Sequence, residues 1–277
     1  MMNSVLTNAG AMIALQNLNA TNSALNQTQT RINTGLKISS AKDNGAIWAI
    51  AQNQRADVAS LSAVTDSLNR GSSTIDVALS AGETISDLLN QMKTKAIAAA
   101  DVSLDTTARA ALNEDFKALR DQISKTINNA SFNGANLLKT AATNLFALAD
   151  ASGTSKLTAQ AQVLGLGAAG SAITFAVTAS FNTAATASAL MTQISTSITN
   201  VNAAVAKLGT SAKAFQTHLS FVAKLSDSIT AGIGNLVDAD VAKESANLTA
   251  LQTKQQLGVQ ALGIANQAPQ ILLSLFK

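Results

Sequence analysis

A glycine-rich run and a lone histidine are the first places to look for chemistry in this chain. Gly165-Leu166-Gly167-Ala168-Ala169-Gly170 matches G-x-G-x-x-G. That spacing holds a dinucleotide pyrophosphate when a helix follows and aims its first N–H groups at the phosphates. Here Ala172–Thr178 follows, and its rough alternation predicts a strand, so the glycines read as a β-turn. His218 is the only histidine. It stands beside Phe215 and Leu219 with no serine nucleophile motif nearby, and is expected at the solvent edge of a helix. Asp238 and Asp240 lie close together, as the N-terminus of a following helix would favour. No catalytic carboxylate pair, HExxH or P-loop is present. Cysteine is absent, which excludes disulfides and thiolate metal sites. The chain therefore reads as no enzyme, with no catalytic, cofactor-binding or metal residues and no cofactor.

Composition points to packed helices. Of 277 residues, 47% are hydrophobic but only 3% aromatic, so the core must be built of Ala, Leu, Ile and Val. The one proline is Pro269, which leaves everything before it free of proline breaks. A net charge of +3 on 13% charged residues gives no basic patch, and clustered Lys and Arg with stacking aromatics are missing. Nucleic acid is not an expected partner. No apolar run reaches the roughly 18 residues of a membrane span, so no membrane partner is expected either. No Lys or Arg precedes Arg31. The basic start of a cleavable secretory signal is thus missing, and export would use another route.

Two ladders of side chains stand at the ends. Towards the C-terminus, Val241, Leu248, Leu251, Leu262 and Ala265 step by threes and fours, with Glu244, Gln255 and Gly258 on the same ladder. Leu257, Ala261 and Ile264 form a second strip beside it. Such alternation is a heptad seam. One partner helix would leave one strip in water, whereas several copies around an axis could bury both. Near the N-terminus, Leu15, Leu18, Asn22, Leu25, Gln29, Ile32 and Leu36 make the matching ladder. The ends thus read as partner-seeking helices.

Between them, Ser39, Ser40, Asp43, Asn44 and Gly45 predict a bend near 37–44. Trp48 then sits on a short helix and is expected in the core. A long helix is predicted over about 57–100, and a break over Asp101–Asp105. Asp105 or Thr106 should cap the next helix, with Leu112, Phe116, Leu119, Ile123 and Ile127 on its face. Met191 to Val222 keeps helical spacing throughout and is expected to stop near Gly232 and Gly234. Residues 130–185 are rich in Gly, Ser, Thr and Ala, with strands expected at Leu157–Leu164 and Ala172–Thr178. The fold class is mainly α: a long antiparallel helical bundle or coiled coil with a small β-hairpin region.

Three motifs resemble those of the bacterial flagellins. Arg31-Ile32-Asn33-Thr34-Gly35-Leu36-Lys37-Ile38-Ser39-Ser40-Ala41-Lys42-Asp43 is similar to the signature ending the family's N-terminal helix. Phe132-Asn133-Gly134 with Leu137-Leu138 resembles the turn opening its β-hairpin. Asp238-Ala239-Asp240 through Asn266-Gln267-Ala268-Pro269-Gln270 and Leu273-Ser274-Leu275 resembles its C-terminal signature. The length implies a short form without large outer domains.

The resemblance implies a secreted structural subunit that self-assembles into the extracellular flagellar filament for swimming, its terminal helices pairing as a coiled coil. The alternative is a hook–filament junction protein. The division it implies is 1–43 and 236–277 for the inner filament core, 44–129 and 186–235 for the rod, and 130–185 for the hairpin and outer surface. Leu15, Leu18, Leu25, Ile32, Leu248, Leu251, Leu262, Ile271 and Leu275 are the expected assembly residues. Implied partners are copies of itself and other flagellins, the flagellar cap and hook–filament junction proteins, and the type III export apparatus with its chaperone. Flagellins detected by the vertebrate Toll-like flagellin receptor carry L-Q-R-V-R-E-L-A-V on the first long helix. This chain has Gln91 for the first Arg, Lys95 for the Leu and Asp115 near a family Glu, so weak activation is expected. By analogy with the family, Thr154, Ser155, Thr178, Ser180, Thr183, Thr186 and Ser188 are candidates for O-glycosylation.

Overall fold

Helix signals and caps explain most of the element boundaries. The computed structural model describes residues 7–274, with side chains given to residue 267. Among the described residues the order is α1 (Ala9–Thr34), α2 (Gly45–Ala99), α3 (Thr106–Asn129), β1 (Leu145–Leu148), β2 (Lys156–Ala159), α4 (Ala184–Val237) and α5 (Val241–Ser274). They fall into two compact units: residues 57–227, and the two chain ends outside that range. The boundary lies within α2 and within α4.

In the unit of the chain ends, α1 stops where Gly35 takes φ 71°, a left-handed conformation that glycine adopts without strain. The link after it pairs with the link between α4 and α5. Lys37 N–H donates to Val237 O at 2.7 Å and Ala239 N–H to Gly35 O at 2.9 Å. The predicted bend is held by Asp43, whose carboxylate accepts the backbone N–H and the hydroxyl of both Ser39 and Ser40. Those donors, the backbone N–H groups first, hold its pKa below the ordinary carboxylate value. Asn44 then caps α2 by accepting from Ile47 N–H, and Asp240 caps α5 by accepting from Ala242 and Lys243 N–H. No separate short helix carries Trp48. α2 is continuous from Gly45, and Trp48 is half-buried.

In the unit 57–227, α2, α3 and α4 close on a core of Leu68, Ile75, Leu89, Met92, Phe116, Ile123, Val201, Leu208 and Phe215, all almost fully buried. Gly71 and Gly82 let α4 approach α2. A Cβ on Gly71 would lie 2.5 Å from Phe215 Cε1, and one on Gly82 2.7 Å from Val205 Cγ2. Asp105 caps α3, its Oδ1 accepting from Ala108 N–H at 2.7 Å. β1 and β2 pair antiparallel with Leu145 opposite Ala159 and Leu148 opposite Lys156.

Three sequence expectations need correction here. The hairpin pairs Leu145–Leu148 with Lys156–Ala159, so the strand placed at 157–164 ends by Ala159. Ala172–Thr178 is no strand: Ile173 and Phe175 are buried, but Thr174 N–H donates to Ser197 Oγ of α4 at 3.0 Å. Its alternation reflects packing against helices, with Phe175 and Phe181 around Phe116 at centroid distances of 6.4 and 5.1 Å. Finally, α4 runs through Gly232 and Gly234 to Val237. Asp238 Oδ2 leans over Gly234, where a Cβ would meet it at 2.7 Å, so that glycine makes room inside the helix and does not end it.

Candidate self-assembly surface

The glycine run 165–170 is a turn. Gly167 has φ 61° and its N–H donates to Ile173 O at 3.2 Å, and no helix follows to receive a phosphate. His218 is half-buried and joins the hairpin to α4, with Nε2 2.7 Å from Ala149 O. The expectation of a solvent-edge histidine missed that tie, because the hairpin turn it reaches lies 69 residues away. Neither feature gathers reactive groups, so attention moves to the terminal helices.

α1 and α5 pack antiparallel. On α5 the residues withdrawn from solvent are Glu244, Leu248, Leu251, Gln255, Gly258, Leu262 and Ala265, and every other described side chain of α5 is exposed. On α1 the matching face is Ala11, Ala14, Leu18, Thr21, Asn22, Leu25, Thr28 and Ile32. Polar steps on one helix find partners on the other. Gln255 Nε2 donates to Asn22 Oδ1 at 2.7 Å, Arg31 Nη1 to Glu244 Oε1 at 3.3 Å, and Asn8 Nδ2 to Ala265 O at 2.6 Å. Gly258 stands opposite Leu18, where a Cβ would come within 3.2 Å of Leu18 Cδ1. Paired amides and one ion pair at fixed levels set the register of such a seam.

The structure divides the expected assembly residues. Leu18, Leu25 and Ile32 face α5, while Leu248, Leu251 and Leu262 face α1. Leu15 does not join them: it is 48% exposed, and Gln29 is exposed too. The seam takes small side chains at these levels, Ala14 and Thr28, one position further round the helix. Val241 is likewise 48% exposed. Ile271 lies in α5 beyond the residues whose side chains are described, and Leu275 lies outside the described residues.

A second apolar surface remains in water. Ile13 of α1 is 60% exposed, and Leu257 and Ile264, which share one side of α5, are 57% and 71% exposed. An open groove of about 430 Å³ lined by Ile13, Asn17, Leu257 and Ala261 runs along this face. Large apolar side chains grouped in this way mark an interaction surface. No helix among the described residues is long and apolar enough to cross a membrane.

In the unit 57–227, Gln91 is exposed, and Lys95 and Asp115 meet in an ion pair. Thr154, Ser155, Thr178, Ser180, Thr183, Thr186 and Ser188 are all exposed. Several functional-looking polar groups escaped the sequence reading because each is defined by its partners. Arg109 is 7% exposed and donates to the carbonyls of Ala99, Asp101 and Leu104. Asn136, buried, donates to Ile127 O and accepts from Leu138 and Lys139 N–H, closing the end of α3.

Comparison with known proteins bears on this surface. Residues 5–143 match the family model described as the bacterial flagellin N-terminal helical region, and residues 191–276 match its C-terminal helical region. The chain is 56% identical over 276 residues to flagellin FljM of Caulobacter vibrioides, covering 100% of this chain and 99% of that one. It is 39% identical over 289 residues to a flagellin of Brucella melitensis, with full coverage of both. A crystal structure of Bacillus cereus flagellin is similar over 55% of this chain and 86% of that one, with a TM-score of 0.48 and 22% identity.

Proposed function

Because this chain belongs to the bacterial flagellin family, we propose that the exposed faces of its paired terminal helices are where neighbouring copies meet in the filament. The chain is a structural subunit of the flagellar filament, outside the cell, and polymerises with itself for motility. Nothing favours the hook–filament junction alternative.

The observation that carries the proposal is that the two strips differ in exposure. Leu18, Leu25, Ile32, Leu248, Leu251 and Leu262 mate within one copy, while Ile13, Leu257 and Ile264 stay in water. Covering the exposed part of each of these side chains contributes about 1 kcal/mol or more. Ile271 and Leu275 continue the apolar run towards the chain end. On this reading residues 1–43 and 236–277 form the inner core of the filament, 44–129 and 186–235 the rod, and 130–185 its outer surface. The finer partners are other flagellins, the cap and hook–filament junction proteins, and the type III export apparatus with its chaperone. Catalysis has no part in this function.

Two variants test it. A chain lacking residues 266–277 should stay soluble, keep most of its helix by circular dichroism, and fail to extend seeds. Leu257→Ser with Ile264→Ser should do the same without removing any residue, since both side chains are more than half exposed. Normal filaments from either would overturn the assignment of this face.

A further inference from the structure

The turn between α2 and α3 carries an apolar knob. Val102 is 89% exposed, the most exposed of the large apolar side chains described. Asp101 and Asp105 flank it, both exposed. The turn is rigid, because the buried Arg109 guanidinium binds the carbonyls of Ala99, Asp101 and Leu104 at 3.0, 2.8 and 3.0 Å. Asp101 Oδ1 further accepts the N–H and hydroxyl of Ser103. A preorganised knob loses little entropy on docking.

The same unit offers a shallow apolar groove. Leu157 of the hairpin and Ala214, His218 and Phe221 of α4 line an open groove of about 680 Å³, with Lys213 at its edge. Phe221 is 55% exposed. Lys156, next to Leu157, and Lys213 are exposed. Within this unit α2 and α4 run antiparallel, since Gly71 lies against Phe215 and Ser86 Oγ donates to Asn202 Oδ1. The groove is therefore level with the part of α2 near residue 70. The turn lies roughly 45 Å further along, at 1.5 Å per residue.

We propose that Val102 of one copy seats in the Leu157–Phe221 groove of the next copy, with Asp101 and Asp105 facing Lys213 and Lys156. Knob and groove lie at well-separated levels of one unit, and because a filament subunit must leave each free for a different neighbour, the contact is taken as head-to-tail and open. Repeated, it makes a linear strand of subunits. Opposite charges at the rim set the orientation, while the apolar insertion supplies most of the affinity. The occupant is a second copy because the chain is a filament subunit, and because its own turn carries an exposed apolar side chain between two carboxylates, opposite in charge to the groove's lysines. This inference rests on the filament function, whose failure would show separately as no filaments from the unmodified chain.

The chain has no cysteine, so a crosslink reports directly. Filaments grown from a chain carrying Val102→Cys and Ala214→Cys together, oxidised and run on a denaturing gel, should give a ladder of covalent oligomers. Neither single variant should give one. Filaments that yield only monomer overturn the proposal. A dimer band with nothing above it overturns it too, since that is a closed two-fold contact. A second measurement covers loss of assembly in the double variant. Val102→Asp should keep its helix and raise the critical concentration for polymerisation about tenfold or more, as loss of a central apolar anchor does. Val177→Asp, also at an exposed position, should not. Equal critical concentrations for Val102→Asp and the unmodified chain overturn the inference.

Discussion

Lys95 Nζ donates to Asp115 Oδ2 across 2.6 Å, joining α2 to α3 on the surface. Both side chains keep a large share of their exposure, so the pair stabilises the fold by no more than about 1 kcal/mol. Its expected effect is on recognition. Two departures from the family's receptor motif satisfy each other, and the place where a leucine would offer an apolar contact holds an ammonium already committed to a carboxylate.

Receptor activation is accordingly expected to be weak or absent, even with dissociated monomer. A receptor would have to break the Lys95–Asp115 pair and desolvate the ammonium, and exposed Gln91 lacks the charged planar fork of an arginine. Losses of this type cost about 2 kcal/mol or more each, roughly thirtyfold. A reporter-cell assay with purified monomer checks this. Potency equal to that of a flagellin with the full motif would refute it, and Gln91→Arg with Lys95→Leu should gain activity.

The α2–α4 contact gives a pair of glycine predictions of opposite sign. A Cβ on Gly71 would lie 2.5 Å from Phe215 Cε1 and 3.5 Å from Ala147 Cβ, pressing on a buried ring and on the hairpin at once. Overpacking costs about 1–3 kcal/mol, and the better helix propensity of alanine returns about 1 kcal/mol. Gly71→Ala should thus lower the melting temperature. Gly209, in α4, has open space where its Cβ would be. Gly209→Ala should raise the melting temperature by a few degrees. Thermal unfolding of the two monomers followed by circular dichroism decides both signs.

The C-terminal ladder was legible because its signal is local. Glu244, Leu248, Leu251, Gln255, Gly258, Leu262 and Ala265 recur at heptad spacing and turn from solvent, while Val241, at the start of the same ladder, is 48% exposed. The N-terminal ladder is less legible. Leu15 and Gln29 share the spacing, but the close approach of α5 selects the smaller Ala14 and Thr28 beside them, and that choice depends on the partner. Asp105 could be named as a cap from its position alone. β1 could not be found, since Leu145–Leu148 is short and owes its place to Ser67, which accepts from Leu148 N–H, and to His218, beside Ala149 O. Arg109 and Asn136 were invisible for the same reason: nothing in the sequence marks a buried side chain whose partners are backbone carbonyls.

Sugar, where attached, should fall on particular hydroxyls. Thr183 and Thr186 cap α4, with Thr186 Oγ1 accepting from Asn182 and Thr183 N–H and Thr183 Oγ1 accepting from Thr186 N–H. Thr154 donates to Asp150 Oδ2. A glycan at any of these crowds a hydrogen bond that orders the local backbone. Thr178 and Ser180 sit exposed in an irregular segment and cap no helix, and Ser188 is exposed on α4. Peptide mapping of native filaments should place modification at Thr178 or Ser180 ahead of the capping threonines. An intact mass equal to that of the sequence alone would end the idea.

Arg31 and Glu244 give the last prediction. Their single contact is 3.3 Å, Glu244 is 8% exposed, and neither Arg31 Nε nor Glu244 Oε2 has a hydrogen-bond partner. An end-on, half-satisfied pair of this type recovers little of what desolvating two charges costs. Removing one partner is worse, because it strands the other charge in the seam. Arg31→Met should therefore destabilise the α1–α5 pair by about 2 kcal/mol, less than the value for a fully buried pair because Arg31 is partly in water. Arg31→Met with Glu244→Met should recover that loss or exceed it, since two matched apolar side chains continue the line of Leu25 and Leu248. The ion pair, with Asn22–Gln255, also fixes which levels of the two helices face each other, so the double variant should extend seeds more slowly despite its stability. Thermal unfolding of the monomers and seeded growth rates test the two halves separately. A double variant less stable than Arg31→Met alone would show that the pair holds the seam by its charge.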